Sequence, residues 1–150
     1  MSKVIIKECI RYHTGLMQER LNESLSELGG LESYVKPGQN ILLKVNLLTV
    51  KKPEQAATTH PQFVEAVANL FLDFGCNVFI ADSPGGPFIT PMLKRVYKAT
   101  GMTDLDERLN ITLNYDTIPS SGKFLTLSIS LTEKNCNKIS MNVNLKGSKT

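Results

Sequence analysis

Two short, largely apolar runs in the sequence, residues 41–45 and 77–82, flank a stretch whose apolar residues recur three and four positions apart. This stretch extends from residue 61 to residue 74, and Gly75 follows it. Short continuous apolar runs are typical of buried strands in a parallel sheet. Apolar residues three and four positions apart, as in the stretch between the two runs, are typical of an amphipathic helix. The pattern predicts a strand–helix–strand unit. Because such crossovers are right-handed, its two strands run in the same direction.

Similar patterns lie on both sides of this unit. An apolar run at residues 4–6 predicts a first strand, and apolar residues spaced along residues 14–28 predict a helix that Thr14 caps. A third helix is predicted over residues 90–101, and a strand is predicted at residues 111–115. Helices and strands thus alternate along most of the chain, which is typical of the α/β class.

The C-terminal part of the sequence has a different pattern. Residues 125–131 and 139–145 alternate between apolar and polar side chains. Period-two alternation predicts strands with one face in water, which either form a hairpin or add to the edge of the sheet. Because nothing in the sequence covers that edge, we expect a truncated version of a longer domain or a missing partner.

The length and composition set the size of the fold. A chain of 150 residues, of which 41% are hydrophobic, buries roughly 70% of its unfolded surface and forms one hydrophobic core. We therefore predict a single α/β domain over residues 1–150. Its expected architecture is a three-layer sandwich with a mostly parallel sheet and C-terminal antiparallel edge strands.

Charge and cysteine content argue against several kinds of partner. The formal net charge is +3 and the basic residues are scattered, so nucleic acid is not an expected partner. Cys9, Cys76 and Cys136 lie far apart and form no CxxC pair, so no zinc or iron–sulfur ligand set is expected. Reduced thiols, with no signal peptide and no apolar stretch of membrane length, predict a cytoplasmic protein without a membrane partner.

The polar side chains of the strand–helix–strand unit collect at one end of it. The carboxyl ends of parallel strands share an edge with the start of the connecting helix, and open α/β sheets bind ligands there. The side chains expected at this edge are a cation, an amide, two hydroxyls, an imidazole and a carboxylate: Lys44, Asn46, Thr58, Thr59, His60 and Asp82. Pro61 suits the first helical position, and unpaired N–H groups together with the helix dipole favour an anion beside it.

Each of these side chains has a chemical and a structural interpretation. His60 is a candidate general acid/base or ligand, or else it caps the helix. Asp82 is a candidate for proton transfer or metal binding, or else it holds the turn that follows. Lys44 either neutralises an anion or extends into solvent from the strand end. Because His60 and Asp82 are the only two credible ligands for a metal, no metal site is predicted.

The turn after the second strand is also expected to belong to the ligand site. It contains Ser83, Gly85 and Gly86, and paired glycines permit a ligand to approach the backbone closely. The sequence contains neither GxGxxG nor GxxxxGK[ST]. Neither a standard dinucleotide-binding loop nor a P-loop is therefore expected.

Several short motifs together resemble a known family. Their order and spacing are similar to those of the bacterial and archaeal family catalogued as domain of unknown function 362, over about residues 4–116. The motifs are KPG at residues 36–38, LLK at 42–44, NLL at 46–48, TTHP at 58–61 and DSPGG at 82–86. Val45 departs from the pattern, because members of the family usually carry proline at this position.

The resemblance implies an uncharacterised domain, since the activity of the family is not established. Many of its members carry a separate ferredoxin-like module with [4Fe–4S] clusters, which implies a redox setting for them. This chain contains no such ligand set, and its cofactor is left unassigned.

Two functions of different classes are predicted. In the first, the domain binds a phosphate- or carboxylate-bearing small molecule at the strand-end edge as part of a redox enzyme, with His60 and Asp82 as catalytic candidates. In the second, the chain is a non-catalytic fragment or interaction module. It would then pair with a second copy, or with a missing half, through its C-terminal strands.

Overall fold

A computed structural model describes residues 4–117 and the backbone of three further strands. The α-helices in the described residues are α1 Thr14–Glu27, α2 Pro61–Asp73, α3 Thr90–Ala99 and α4 Met102–Arg108. The strands are β1 Ile5–Glu8, β2 Asn40–Lys44, β3 Asn77–Ala81, β4 Ile111–Leu113, β5 Leu125–Thr126, β6 Ile129–Leu131 and β7 Lys138–Met141. Single 3-10 turns at Leu31–Ser33 and Pro53–Gln55 precede β2 and α2. None of these helices is long and apolar enough to cross a membrane.

The larger sheet contains four parallel strands in the order β4-β3-β2-β5. β2 and β3 are neighbours, with Ile41 opposite Val78 and Leu43 opposite Ile80. α2 connects these two strands, so the predicted strand–helix–strand unit is present. The predicted α/β class with a mostly parallel, open sheet is confirmed.

The C-terminal strands are divided between two sheets. β5 pairs with β2, whereas β6 and β7 form an antiparallel pair, and β7 also pairs with β1. The single strand predicted over residues 125–131 is therefore two strands, because its two parts have different neighbours. β1 joins this smaller antiparallel sheet and not the parallel one. Residues 142–145 of the other predicted strand lie outside the described residues.

One face of the parallel sheet carries the hydrophobic core. The buried positions of three neighbouring strands are in register: Ile41, Leu43, Val78, Ile80, Ile111 and Leu113. The apolar stripe of α2 belongs to the same core: Phe63, Val64, Val67, Leu70 and Phe71. Leu42 and Phe79 alternate with the buried positions and are only partly buried. The helical crossover therefore stabilises the sheet by burying one apolar face.

Tyr97 ties α3 to the ends of β3 and β4. Its side chain is fully buried, and its hydroxyl donates to the carbonyl oxygen of Asn114 at 3.0 Å. The ring of Tyr115 packs edge-on against it, with 5.4 Å between the ring centroids. Burial raises the pKa of Tyr97 to about 12, so the phenol stays protonated and remains a donor at neutral pH.

Glu65 links three helices through one carboxylate. Its oxygens accept hydrogen bonds from Thr14 Oγ1 at 3.0 Å and from Arg108 Nη1 at 2.7 Å. The bond from Arg108 holds the pKa of Glu65 below its ordinary value. The prediction that Thr14 caps α1 is wrong, since its hydroxyl is directed to α2. The N-cap is His13, whose Nδ1 accepts from the amide of Leu16.

The turn between α3 and α4 lies against the start of α2. Gly101 in this turn has a φ of +78°, a conformation that side chains disfavour. A Cβ atom there would lie 3.3 Å from Cγ of Pro61. The glycine therefore permits both the turn and its close approach to the helix start.

Substituting Gly101 with alanine is expected to destabilise the protein more than the same change at Gly38. Both glycines have positive φ, but no atom lies within 4 Å of the Cβ position at Gly38. G38A should cost about 1–2 kcal/mol of unfolding free energy from the backbone alone. G101A should cost roughly 1–3 kcal/mol more, because Pro61 must move. Urea unfolding measures both variants, and equal losses would contradict the proposed contact.

Candidate functional site

The carboxylate of Asp82 joins the two strand ends at the predicted edge. Its Oδ1 accepts from Lys44 Nζ at 2.8 Å, and its Oδ2 accepts from the amide of Leu47 at 2.6 Å. The Asp82 side chain is 6% exposed, whereas that of Lys44 is 68% exposed. The structure thus brings Lys44 and Asp82 together, as predicted. Because both carboxylate oxygens are engaged, the geometry favours an anchoring role for Asp82.

Asn46 and Thr59 close the base of the long loop between β2 and α2. The amide of Asn46 donates to Thr59 Oγ1 at 3.0 Å, and the amide of Thr59 donates to the carbonyl oxygen of Asn46 at 3.2 Å. An antiparallel bridge between Leu47 and Thr58 continues this pairing. Thr58 is buried, and its enclosed hydroxyl has no hydrogen-bond partner among the described residues. Neither Thr58 nor Thr59 caps α2. Of the two hydroxyl groups, that of Thr59 is the one that binds a strand-end residue, Asn46.

His60 is the N-cap of α2, as its position predicts. Its Nδ1 accepts from the amide of Gln62 at 3.3 Å, which places the proton of the neutral ring on Nε2. The ring stacks on Tyr12, with 3.8 Å between the ring centroids and 10° between the planes. Burial lowers the pKa of His60, and the charge of Glu54 opposes this effect. His60 is therefore neutral at neutral pH.

The backbone N–H groups at the start of α2 are already paired. Pro61 has none, and that of Gln62 is bound by His60. The amide of Phe63 donates to the carbonyl oxygen of His60 at 3.0 Å. The expected anion site on unpaired N–H groups is therefore not formed at these positions. What the helix start offers an anion is the positive end of its dipole.

The turn after β3 packs on the loop after β2. The amide of Gly85 donates to the carbonyl oxygen of Leu48 at 2.9 Å, and a Cβ atom at Gly85 would lie 3.1 Å from that oxygen. Gly86 has a φ of +101°, which favours glycine. The described contact of Gly85 is thus with the neighbouring loop. Ser83 is exposed at the same edge.

Two concave surfaces border the start of α2. A cavity of about 50 Å³ lies between the end of β2 and the first turns of α2, and is lined by Leu43, Lys44, Val45, Thr59, Phe63, Val64 and Val67. A wider groove of about 870 Å³ is lined by Val50, Lys52, Pro53, Glu54, Gln55, Pro61, Lys98, Ala99, Gly101 and Asp104. The cavity has room for one or two water molecules or for part of a ligand.

The described residues supply no set of metal ligands. In residues 4–117 and the three C-terminal strands, no three His, Cys, Asp or Glu side chains come together to hold a metal ion. Cys9 and Cys76 are free and buried, and burial raises the pKa of the Cys76 thiol. Cys136 lies outside the described residues. No iron–sulfur ligand set can be assigned in this part of the chain.

Two residues that act on His60, Tyr12 and Glu54, were not predicted from the sequence. Tyr12 follows β1 in a polar segment, so its position after a strand was a signal of the kind that identified Asn46 and Asp82. Glu54 lies inside the long loop and carries no sequence signal, because its place depends on how the loop closes. The interactions described for the His60 ring are the stacking on Tyr12 and the hydrogen bond from Gln62, and no hydrogen bond or ion pair described for Lys44 or Asp82 involves His60.

Comparison with known proteins identifies a family and one partial relative. Residues 41–143 match the sequence model described as "Domain of unknown function (DUF362)". A segment of 73 residues, 49% of this chain, is 42% identical to the thylakoid-associated protein sll1697 of Synechocystis sp.. The matched segment spans 23% of that protein's length. No solved structure matches the chain.

Replacing Asp82 with alanine should remove both hydrogen bonds that hold the strand ends. We expect D82A to lower the free energy of unfolding by about 2–3 kcal/mol, since Leu47 loses its acceptor and Lys44 its charged partner. D82N retains an acceptor for Leu47 and should cost about 1 kcal/mol. The control is D73A, because Asp73 is exposed and its change should stay within about 0.5 kcal/mol. Urea unfolding distinguishes the three, and equal losses in D82A and D73A would be inconsistent with the anchoring role.

Acidification is expected to destabilise the protein through His60. The unfolded state takes up a proton near pH 6.5, at about the ordinary imidazole pKa, whereas the folded state resists it. The stabilisation is therefore complete above that pH and is lost as the pH falls towards the lower folded pKa of His60. H60N keeps an N-cap acceptor but cannot titrate. Between about pH 7.5 and about pH 5.5 its melting temperature should fall less than that of the wild type. Identical falls in the two proteins would refute this assignment.

Proposed function

The chain belongs to the family defined by the domain of unknown function DUF362, as its motifs predict, and we propose that it binds an anionic small molecule. The ligand carries a phosphate or carboxylate group and lies at the edge formed by the ends of β2 and β3 and the start of α2. The observation that carries this proposal is the ion pair of Lys44 and Asp82, because it holds an exposed ammonium group at that edge.

The geometry of Lys44 suits it to bind an anion. Its ammonium group has three N–H donors, and Asp82 engages one side of the group. Most of the side chain faces solvent, so donors remain for a ligand. A lysine that is already held in place loses less conformational freedom when it binds a ligand than one that is free. Asp82 thus contributes by positioning Lys44.

Thr59 supplies a second donor on the same side. It lines the small cavity together with Lys44. Its hydroxyl oxygen accepts from the amide of Asn46, which leaves the hydroxyl hydrogen available to donate to an anion. The dipole of α2 adds about 0.3–1 kcal/mol for an anion near the helix start. Ser83 and Gly86 complete the proposed edge from the turn after β3.

His60 is the proposed proton-transfer group. Its Nδ1 is used by the helix cap, so Nε2–H is the group that can donate to a ligand. The lowered pKa keeps the ring neutral at neutral pH. Proton transfer then uses both nitrogens: Nδ1 releases the amide of Gln62 and takes up a proton, and the imidazolium so formed gives up the proton on Nε2 to the ligand. The earlier expectation that Asp82 shares this role is not favoured, since both of its oxygens are engaged.

The cellular setting is proposed from the cysteines of this chain and from the modules of the family. Buried, free Cys9 and Cys76 support a cytoplasmic location with reduced thiols. A role within a redox enzyme rests on the modules that many family members carry. The described residues of this chain would then contribute the anion site, and another part of the assembly would carry the redox centre.

A second proposal, of a different class, is an interaction module that pairs through strand edges. β1 is an edge strand, and Ile6 on it is 59% exposed, as is Val4 just before it at 53%. β5 and β7 already pair with β2 and β1 within the chain. β7 lies between β1 and β6, whereas the outer strands of the two described sheets are β1, β6, β4 and β5. A second copy or a missing half would therefore add at one of these outer strands and not at β7.

A thermal-shift panel of inorganic phosphate, nucleotides and organic acids tests the first proposal. A ligand at about one hundred times its Kd should raise the melting temperature by about 5 °C or more. K44M should lose the shift. K36M should keep it, because Lys36 is an exposed lysine at the opposite end of β2. Each shift is taken from the variant's own ligand-free value.

Two outcomes of this panel count against the proposal. No shift with any compound, or equal shifts in K44M and the wild type, would overturn the proposed anion site. Sedimentation of the same samples tests the alternative. A dimer that persists in K44M and dissociates in I6S would favour the interaction module.

A further inference from the structure

Exposed apolar side chains of the described residues fall into two groups. One lies on β1 and its flanking residues and consists of Val4, Ile6 and Ile10. The other lies on the loops after β2 and β3 and is called the apolar rim here: Leu48 at 55%, Val50 at 36%, Phe88 at 39% and Ile89 at 51% exposure. Contiguous apolar surface beside a ligand site commonly contributes to binding.

We propose that the ligand of the anion site is an amphiphile, whose apolar chain or ring lies on the apolar rim while its anionic group reaches Lys44. This inference rests on the proposed function and specifies the class of ligand. The small cavity beside Lys44 is too small for a whole amphiphile, so the apolar part must lie on a surface outside it.

The two loops of the rim are joined by a direct backbone contact. The amide of Gly85 donates to the carbonyl oxygen of Leu48, and a Cβ atom at Gly85 would lie 3.1 Å from that oxygen, which is a tight contact. Phe88 and Ile89 follow Gly85 closely in the same loop. The rim is therefore a surface of two loops in contact and not two separate loop tips.

The rim begins on the segment that follows Lys44. Lys44, Asn46 and Leu48 are exposed and alternate with Val45 and Leu47, which are 3% and 0% exposed. Alternation of this kind places the three exposed side chains on one face. The amide of Leu47 and the ammonium of Lys44 also share the carboxylate of Asp82. A cation and an apolar surface thus adjoin along one segment.

The charges around the rim favour an anionic head group. The exposed lysines Lys51 and Lys52 follow Val50 directly. From Lys44 to Glu54 the segment carries three lysines and one carboxylate. A neutral apolar molecule would not use this charge. The rim consists of four exposed apolar side chains, an area suited to one small molecule, so we place a small amphiphile there in preference to a membrane surface.

Calorimetric titration with two matched pairs of probes tests the inference. The pairs are acetate with octanoate, and inorganic phosphate with octyl phosphate. Burial of part of an alkyl chain on the rim should make at least one octyl compound bind about tenfold tighter or more than its short partner. In L48S/F88S the affinity for the octyl compound should fall to that of the short anion, which should itself be unchanged.

The control variants distinguish binding at a specific site from non-specific binding to any exposed apolar surface. I6S/I10S removes exposed apolar residues of the other group and should bind like the wild type. V50S/I89S should repeat the loss seen in L48S/F88S, which guards against misfolding of one variant. Octanol should bind weakly, because it lacks the charge that Lys44 recognises. K44M should lower the affinity for octyl phosphate or octanoate.

Several results would overturn the inference. Equal affinity for long and short anions would do so while leaving the proposed anion site intact. Failure of every anion to bind would remove both the inference and the proposed function. Octanol that binds as tightly as the octyl anions would indicate an apolar surface without an anion site. Binding only to vesicles of anionic phospholipid, without binding of free octyl compounds, would assign the rim to a membrane surface.

Discussion

The carboxylate of Asp82 holds the end of β3 to the end of β2 and to the loop that follows it. One oxygen binds the ammonium of Lys44 and the other binds the amide of Leu47, inside a side chain that is 6% exposed. A buried charge is tolerated only when it is paired and hydrogen-bonded. This arrangement therefore constrains the positions of Asp82, Lys44 and Leu47. The direction of Lys44, the start of the long loop and the placement of Leu48 follow from it.

The start of α2 is fixed by contacts from distant parts of the chain. His60 caps the helix and stacks on Tyr12, while Pro61 lies against the turn at Gly101. Glu65, one turn further along, holds α1 and α4 through a single carboxylate. These contacts give the edge a rigid wall, which lowers the cost of ordering when a ligand binds. His60 also pairs the backbone N–H groups of Gln62 and Phe63, which an isolated helix start would offer to a ligand.

The central unit could be predicted because its signals are local. Continuous apolar runs and a helical stripe identify β2, α2 and β3, and the parallel pairing of the strands then brings Lys44 near Asp82. The pairing of β1 with β7 could not be predicted, because it joins residues from opposite ends of the chain. The hydrogen bond from the Phe63 amide to His60 and the stacking of Tyr12 on His60 also depend on loop conformation, which the residue types alone do not specify.

The pairing of β1 with β7 has a consequence for the synthesis of the protein. β1 leaves the ribosome before the other described strands, and its partner is the last of them to be made. At about 5–20 residues per second the interval is on the order of ten seconds. During this time the segments that form β2, α2 and β3 are already available, whereas β1 has no neighbour on its inner edge. Among the described strands, β1 is thus the one most open to wrong pairing in the nascent chain, and a chaperone would have the longest access to it.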